Sequence, residues 1–240
     1  MILLDPDARP LIGHRGASGE LPENTLAAFD RALEEGADAL ELDVRLSRDG
    51  VPVVIHDSTV DRTTSGRGAV HDLLLAELRL LDAGRGERIP TLEEVLERYS
   101  STPLVLEVKA VEAAEPVAQL LGRHGAAARV LVGSFERAAL RPFADGPFVR
   151  AASRGETARF WFWSRVGLTV GRGGYRAFTV PEYHGRLHVV DRRFAWAAGQ
   201  RRTPIHVWTV NDVEVARRLR ALGVSGVITD YPARLRAAIE

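Results

Sequence analysis

The chain contains no cysteine. That excludes disulfides, zinc-thiolate centres and thiol nucleophiles, and leaves oxygen and nitrogen as metal ligands. It also lacks an excess of charge: 32 Lys and Arg balance 32 Asp and Glu over 240 residues. No global field is therefore available to hold nucleic acid or an acidic membrane surface, and an anionic substrate has to be caught locally. The same balance leaves the oligomeric state unspecified by composition. There is no uninterrupted apolar run of the roughly 18 residues a transmembrane helix needs. The opening MILLDPDARP has no basic segment and reaches Asp5 quickly, so no secretory signal is read, and a soluble, cytoplasmic protein is expected. Internal repeats, linkers and low-complexity tracts are absent from the sequence as well.

What is present is a 45% hydrophobic chain, suited to one compact domain. Short apolar runs beginning near Leu11, Ala39, Leu104, Arg129, Phe148, Ala177, Ile205 and Gly226 alternate with amphipathic stretches such as Thr25 to Glu35, Thr91 to Tyr99, Glu112 to His124 and Asp212 to Leu222. Eight such units predict an α/β protein, a (β/α)8 TIM barrel, with a doubly wound open sheet as the structural alternative. Between Leu46 and Val51 lies only SRDG, too short for a parallel crossover, so ELDVRLS and VPVVIHD should form an antiparallel hairpin that sets positions near 43 opposite 55 or 56. Residues 57 to 90, rich in Thr, Gly and Arg, read as a small insertion in an otherwise single domain of residues 1 to 240.

In ELDV, Leu40, Leu42 and Val44 share one face of a strand while Ala39, Glu41, Asp43 and Arg45 share the other. If the apolar face packs on helices, the charged face points into the barrel near its C-terminal rim. Two like charges there require a cation. PLVLEVK repeats the pattern, with Val105, Glu107 and Lys109 inward. Glu41, Asp43 and Glu107 suit a hard divalent ion, and a buried ion-pair network with Lys109 and Arg45 is the alternative. LIGHRGA and VVIHD add His14, Arg15 and His56 at strand ends. Imidazoles can exchange protons near neutrality, and Arg15 and Lys109 supply charge for an anion; together with a divalent ion they describe phosphoryl-ester cleavage.

HRGASGELPENT, GADALELDVRLSRDGVPVVIHDSTVDRTTSGRG, LVLEVK, GSF, HVWTVND and GVITDYP stand in order between residues 14 and 232. In these the sequence resembles the glycerophosphodiester phosphodiesterase family, whose barrel is related in design to phosphatidylinositol-specific phospholipases C. The resemblance implies that Glu41, Asp43 and Glu107 bind one divalent cation, Mg²⁺ or Ca²⁺ with Mn²⁺ also possible. It implies that His14 and His56 are the acid and base pair, and that Arg15 and Lys109 hold the phosphate. The implied substrates are small glycerophosphodiesters such as glycerophosphocholine or glycerophosphoethanolamine, cleaved to an alcohol and glycerol 3-phosphate. The insertion would lie beside the barrel mouth. The likeness makes Glu23 and Asn24 supporting candidates, although Asn24 in LPENT also reads as a helix N-cap. Trp208 and Phe135 either line the mouth against substrate or pack in the core. His71, His124, His184 and His188 fall in no matching motif, and these and His206 are read as surface or structural.

The likeness thins between Glu136 and Tyr183: after GSF the family commonly has Asn or Asp and then Pro, where this chain has Glu136 and Arg137. There ARFWFWSRVGLTVGRGGY concentrates Phe160, Trp161, Phe162 and Trp163. One reading is a crossover helix packed on the barrel. The other is an exposed lip over residues 160 to 168 that makes peripheral lipid contact, favouring a lysophospholipase-D-like activity. A non-catalytic phosphodiester-binding barrel would be marked by a missing histidine or ligand, and none is missing.

Overall fold

In the computed structural model, which describes residues 1–168 and 173–239, the chain forms an α/β barrel. Thr169 to Arg172, inside the aromatic run, lie outside the described residues. The strands are β1 (Leu11–His14), β2 (Ala39–Leu46), β3 (Pro52–Val54), β4 (Leu104–Val108), β5 (Val130–Gly133), β6 (Val149–Arg150), β7 (Phe178–Pro181), β8 (Tyr183–His184), β9 (Leu187–His188), β10 (Ile205–Trp208) and β11 (Gly226–Thr229). The helices are α1 (Leu26–Glu34), α2 (Leu75–Leu78), α3 (Leu92–Arg98), α4 (Ala114–Arg123), α5 (Arg154–Ser164), α6 (Arg192–Gln200), α7 (Val213–Ala221) and α8 (Pro232–Ile239). Eight strands run parallel in the order β6-β5-β4-β2-β1-β11-β10-β7. A parallel bridge between Ala151 and Ala177, flanked by Ala152 N–H donating to the Ala177 carbonyl at 2.9 Å, joins β6 to β7.

The short SRDG connection has the consequence expected of it: β3 pairs antiparallel with β2, Val44 opposite Val54, and Ile55 N–H donates to the Asp43 carbonyl at 2.9 Å. Strand periodicity then sorts the core. Leu40, Leu42, Val44, Leu104, Leu106 and Val108 pack outward with Phe29, Val95 and Val117 of the helical layer. Ile12, Ala39, Val105, Leu131 and Ile228 pack inward around Leu3, which plugs the bottom of the barrel. The upper half of the lumen is left to polar side chains. Helix starts follow side-chain caps: Thr25, Thr91, Ser153, Asp191 and Asp212 each accept a backbone N–H from the first turn. The cap of α1 is thus Thr25 and not Asn24, which adopts φ +58° and turns its amide inward. Left-handed backbone is a conformation Asn tolerates better than most residues.

The excursion after His56 carries a short 3-10 turn, α2 and a satellite core of Val60, Val70, Leu78, Ala83 and Ile89 packed on Val53 and Ile55. The aromatic run forms α5 and divides its side chains. Phe160 is buried against Phe178 and Phe194, while Phe162 is 59% exposed. The hairpin of β8 and β9 turns at Gly185 with φ +58°. No described helix is long and apolar enough to cross a membrane.

His206 shows what burial does to a titratable group. It is fully buried, its Nε2 lies 2.8 Å from the Leu3 carbonyl, and Gly226 leaves room for its ring, since a Cβ there would sit 2.3 Å from Nδ1. Burial pushes its pKa down to about 4 from the ordinary 6.5. The unfolded chain therefore binds this proton first as pH falls; the contribution is complete above pH 6.5 and is lost between pH 6.5 and 4, by about 3 kcal/mol in all. In urea unfolding, His206→Gln should lose correspondingly less stability than the parent between pH 7 and pH 4. Equal losses would rule His206 out as the source.

Candidate active site

Strand alternation delivers the charges. Glu41 and Asp43 project inward from β2, and the parallel register that sets Asp43 beside Glu107 brings the third carboxylate alongside. One oxygen from each of the three lies within 4.8 Å of the others. Lys109, just past β4, reaches Asp43 Oδ1 at 2.9 Å and Glu107 Oε1 at 2.8 Å. Arg15 places Nε 3.1 Å from Asp43 Oδ2, and its backbone N–H donates to Glu41 Oε2 at 3.0 Å. Asn24 Nδ2 donates to Asp43 Oδ2 at 3.0 Å. Asp43, 1% exposed, is thus held by three side chains.

The two carboxylates of β2 end in opposite states. Burial, added to the negative charge of Asp43, pushes Glu41 up to about 8. Burial works against ionisation of Asp43 too, but Lys109, Arg15 and the Asn24 amide outweigh it and hold its carboxyl below the usual range. Glu107 is raised by burial, only partly offset by Lys109. Three converging hard oxygens, whose carboxylates when all ionised outnumber Lys109 and Arg15, could hold a metal ion. Such an ion would remove the reason for Glu41 to keep its proton.

Each histidine is oriented by a carboxylate. His14 Nδ1 lies 2.6 Å from Asp230 Oδ1, and Asp230 also accepts from Ser18 Oγ at 2.9 Å and Asn211 Nδ2 at 2.6 Å. Those bonds, against burial, hold Asp230 down to about 2. An ionised carboxylate can only accept, so Nδ1 carries the hydrogen and Nε2 is left for chemistry. Burial opposes the charged form of His14, yet Asp230 and Glu41 raise its pKa above the ordinary value. His56 Nδ1 lies 2.7 Å from Asp57 Oδ1. Asp57 is tied to Arg62, Arg62 to Glu23, and Glu23 to Arg15, each at 2.6 to 2.8 Å. The insertion thereby reaches the carboxylate cluster through a single chain of ion pairs.

A cleft of about 400 Å³ opens over these groups, and His14, Arg15, Glu41, Asp43, His56, Glu107, Lys109, Phe135 and Trp208 all line it. Glu23 and Asn24 stand behind, gripping Arg15 and Asp43. Trp208 and Phe135 meet edge to face with centroids 5.9 Å apart; Phe135 is 53% exposed at the mouth, while half-buried Trp208 lines the cleft and also packs on the inner core layer. Of the histidines read as surface or structural, His206 is structural. His71 is exposed beside Asp72, His124 pairs with Glu93, and His188 stacks on Tyr183. His184 is exposed, as the surface reading has it, and also lines the far side of the cleft. Sequence reasoning did not single out Asp57, Asp230, Arg62 or Asn211. The first two had a signal, since each follows a strand inside a motif quoted above, VVIHD and GVITDYP.

Residues 14–234 match the Glycerophosphoryl diester phosphodiesterase family. YhdW of Bacillus subtilis is 41% identical over 237 residues, covering 92% of this chain and 94% of that protein. The glycerophosphodiester phosphodiesterase of Caldanaerobacter subterraneus subsp. tengcongensis is 33% identical, covering 94% and 95%. Among solved structures, a phosphodiesterase of Oleispira antarctica in complex with the product sn-glycerol-3-phosphate superposes with a TM-score of 0.80 at 30% identity over 96% of both chains. By family match, relatives and fold, this chain is an enzyme of the glycerophosphoryl diester phosphodiesterase family.

Proposed function

We propose that the enzyme hydrolyses glycerophosphodiesters to an alcohol and glycerol 3-phosphate in a metal-dependent reaction, with His14 and His56 exchanging protons. The observation that carries this reading is the convergence, in one cleft, of three carboxylate oxygens within 4.8 Å and two imidazoles each oriented through Nδ1 by an aspartate. The sn-glycerol-3-phosphate bound by the Oleispira antarctica relative supports the product assignment. Glu41, Asp43 and Glu107 would hold a divalent ion, which when bound supplies Lewis-acid stabilisation of charge on the phosphoryl oxygens.

The remaining steps belong to side chains of this chain. One imidazole Nε2 takes the proton of the attacking hydroxyl, from water or from the neighbouring glycerol carbon, and the other protonates the departing alcohol. Lys109 has three N–H groups and spends two on Asp43 and Glu107, so one is left for a phosphate oxygen. Arg15 places its charge beside the same point. Residues 1 to 240 act in this reading as one domain, with residues 57 to 90 an insertion that orients His56 through Asp57 and Arg62.

The test is release of glycerol 3-phosphate from soluble glycerophosphodiesters by metal-stripped protein, before and after separate addition of Mg²⁺, Ca²⁺ or Mn²⁺. Release that returns with at least one ion is expected. Full activity in the stripped protein would overturn the metal requirement, and silence with every ion would overturn the reaction.

A further inference from the structure

The cleft continues well past its charged end. In the barrel order, β6 and β7 lie across from β1 and β2, so the wall opposite the carboxylates comes from α5 and the strands that follow it. That wall is formed by Thr157, Ala158 and Trp161 of α5, Val180 of β7 and Leu187 of β9. It is braced: Trp161 Nε1 donates to the His188 carbonyl at 3.1 Å, fastening α5 to the β8–β9 hairpin.

The charge on this wall has one sign. Among the described residues, Arg154 is its only formally charged lining residue, and it donates to His184 Nε2 at 3.3 Å. No carboxylate of the described residues lines this side. Trp161, the aromatic best placed to attract a cation, already carries the Arg165 guanidinium 3.8 Å over its ring. Asp191 holds that guanidinium in place at 2.9 Å, so the ring face is occupied and a second cation would find no free aromatic face there.

Building on the hydrolysis proposed above, we infer that the arm of the diester that departs as the alcohol lies in this apolar wing, and that the enzyme selects neutral, apolar alcohols over those bearing an ammonium group. In the reaction the P–O bond to the alcohol breaks, the oxygen of water becomes bonded to phosphorus, and the proton passes to the alcohol. Glycerol 3-phosphate and a neutral alkanol are the products. The charged end of the cleft treats every glycerophosphodiester alike, so selectivity among them rests with the wing.

The experiment compares kcat/KM for two diesters of glycerol phosphate, one with n-hexanol and one with choline, in the metal-supplied enzyme and in Leu187→Glu. Leu187 is 43% exposed, so the substitution places a carboxylate in the wing without opening the core. The parent should favour the hexyl diester at least tenfold, and Leu187→Glu should cut that ratio at least fivefold by raising turnover of the choline diester. Thr157→Glu serves as the second variant should Leu187→Glu fail to fold. A parent that favours choline, or a ratio unmoved in a folded variant, would overturn the assignment of the wing while leaving the hydrolysis standing. Loss of turnover on both diesters with every ion would overturn the two together.

Discussion

His14→Ala is expected to lower kcat on any glycerophosphodiester by about 10²- to 10⁴-fold, the range typical of a positioned acid or base. The ring is set up for that role: Asp230 takes its Nδ1–H at 2.6 Å, so Nε2 faces the cleft in one tautomer, 4.0 Å from Glu41 Oε2. Asp230 keeps Ser18 and Asn211 as partners when the ring is gone, so no buried charge is stranded and the fold should survive. KM should move little, because the proposed phosphate contacts of Arg15 and Lys109 are untouched. His56→Ala should behave alike, and the double variant should fall little below either single one, since groups that act as a unit lose their effect together. Steady-state kinetics with circular dichroism on the same samples decides it. Turnover of His14→Ala within tenfold of the parent would remove His14 from the chemistry.

The second large effect separates two neighbouring carboxylates. Asp43→Ala should destabilise the metal-free protein by about 3 to 5 kcal/mol, because it leaves Lys109 and Arg15 partly buried without their shared anion. Glu41→Gln should cost far less, since Glu41 already keeps its proton at neutral pH and glutamine preserves the acceptor for the Arg15 N–H. Both variants should lose turnover, having lost a proposed metal ligand. They should also lose the rise in unfolding temperature that a bound divalent ion produces in the parent by mass action. Thermal unfolding with and without the ion measures both quantities. Equal destabilisation by the two substitutions would show that the charge states assigned here are wrong.

The barrel and most of the site were legible because they rest on local rules. Alternation along ELDV and LVLEV sorts side chains by face over five or six residues, so burial of Leu40 and Leu42 requires Glu41 and Asp43 to point the other way. SRDG is short, so the hairpin and the approach of His56 to Asp43 follow from chain length alone. Asn24 shows the limit of such reasoning. Its type suits a helix cap, but Thr25 next to it is equally suited, and Asp43 nineteen residues away takes the amide instead. The β8–β9 hairpin passed unread because strands of two residues carry no periodicity.

The sequence by itself determined the strand count, the inward-facing charges, the absence of thiolate metal ligands and the two imidazoles at strand ends. Only the tertiary structure decided which carboxylate orients each ring, that burial beside Asp43 pushes Glu41 up while Lys109 and Arg15 hold Asp43 down, and that α5 gives the cleft an apolar, cationic wall. Asp230 stands 216 positions from His14 in the chain, and they meet because β11 pairs with β1 when the barrel closes. Periodicity reports only which way a residue faces; partners and charge states depend on what closure brings within a few ångströms, where burial and Coulomb interactions are strongest.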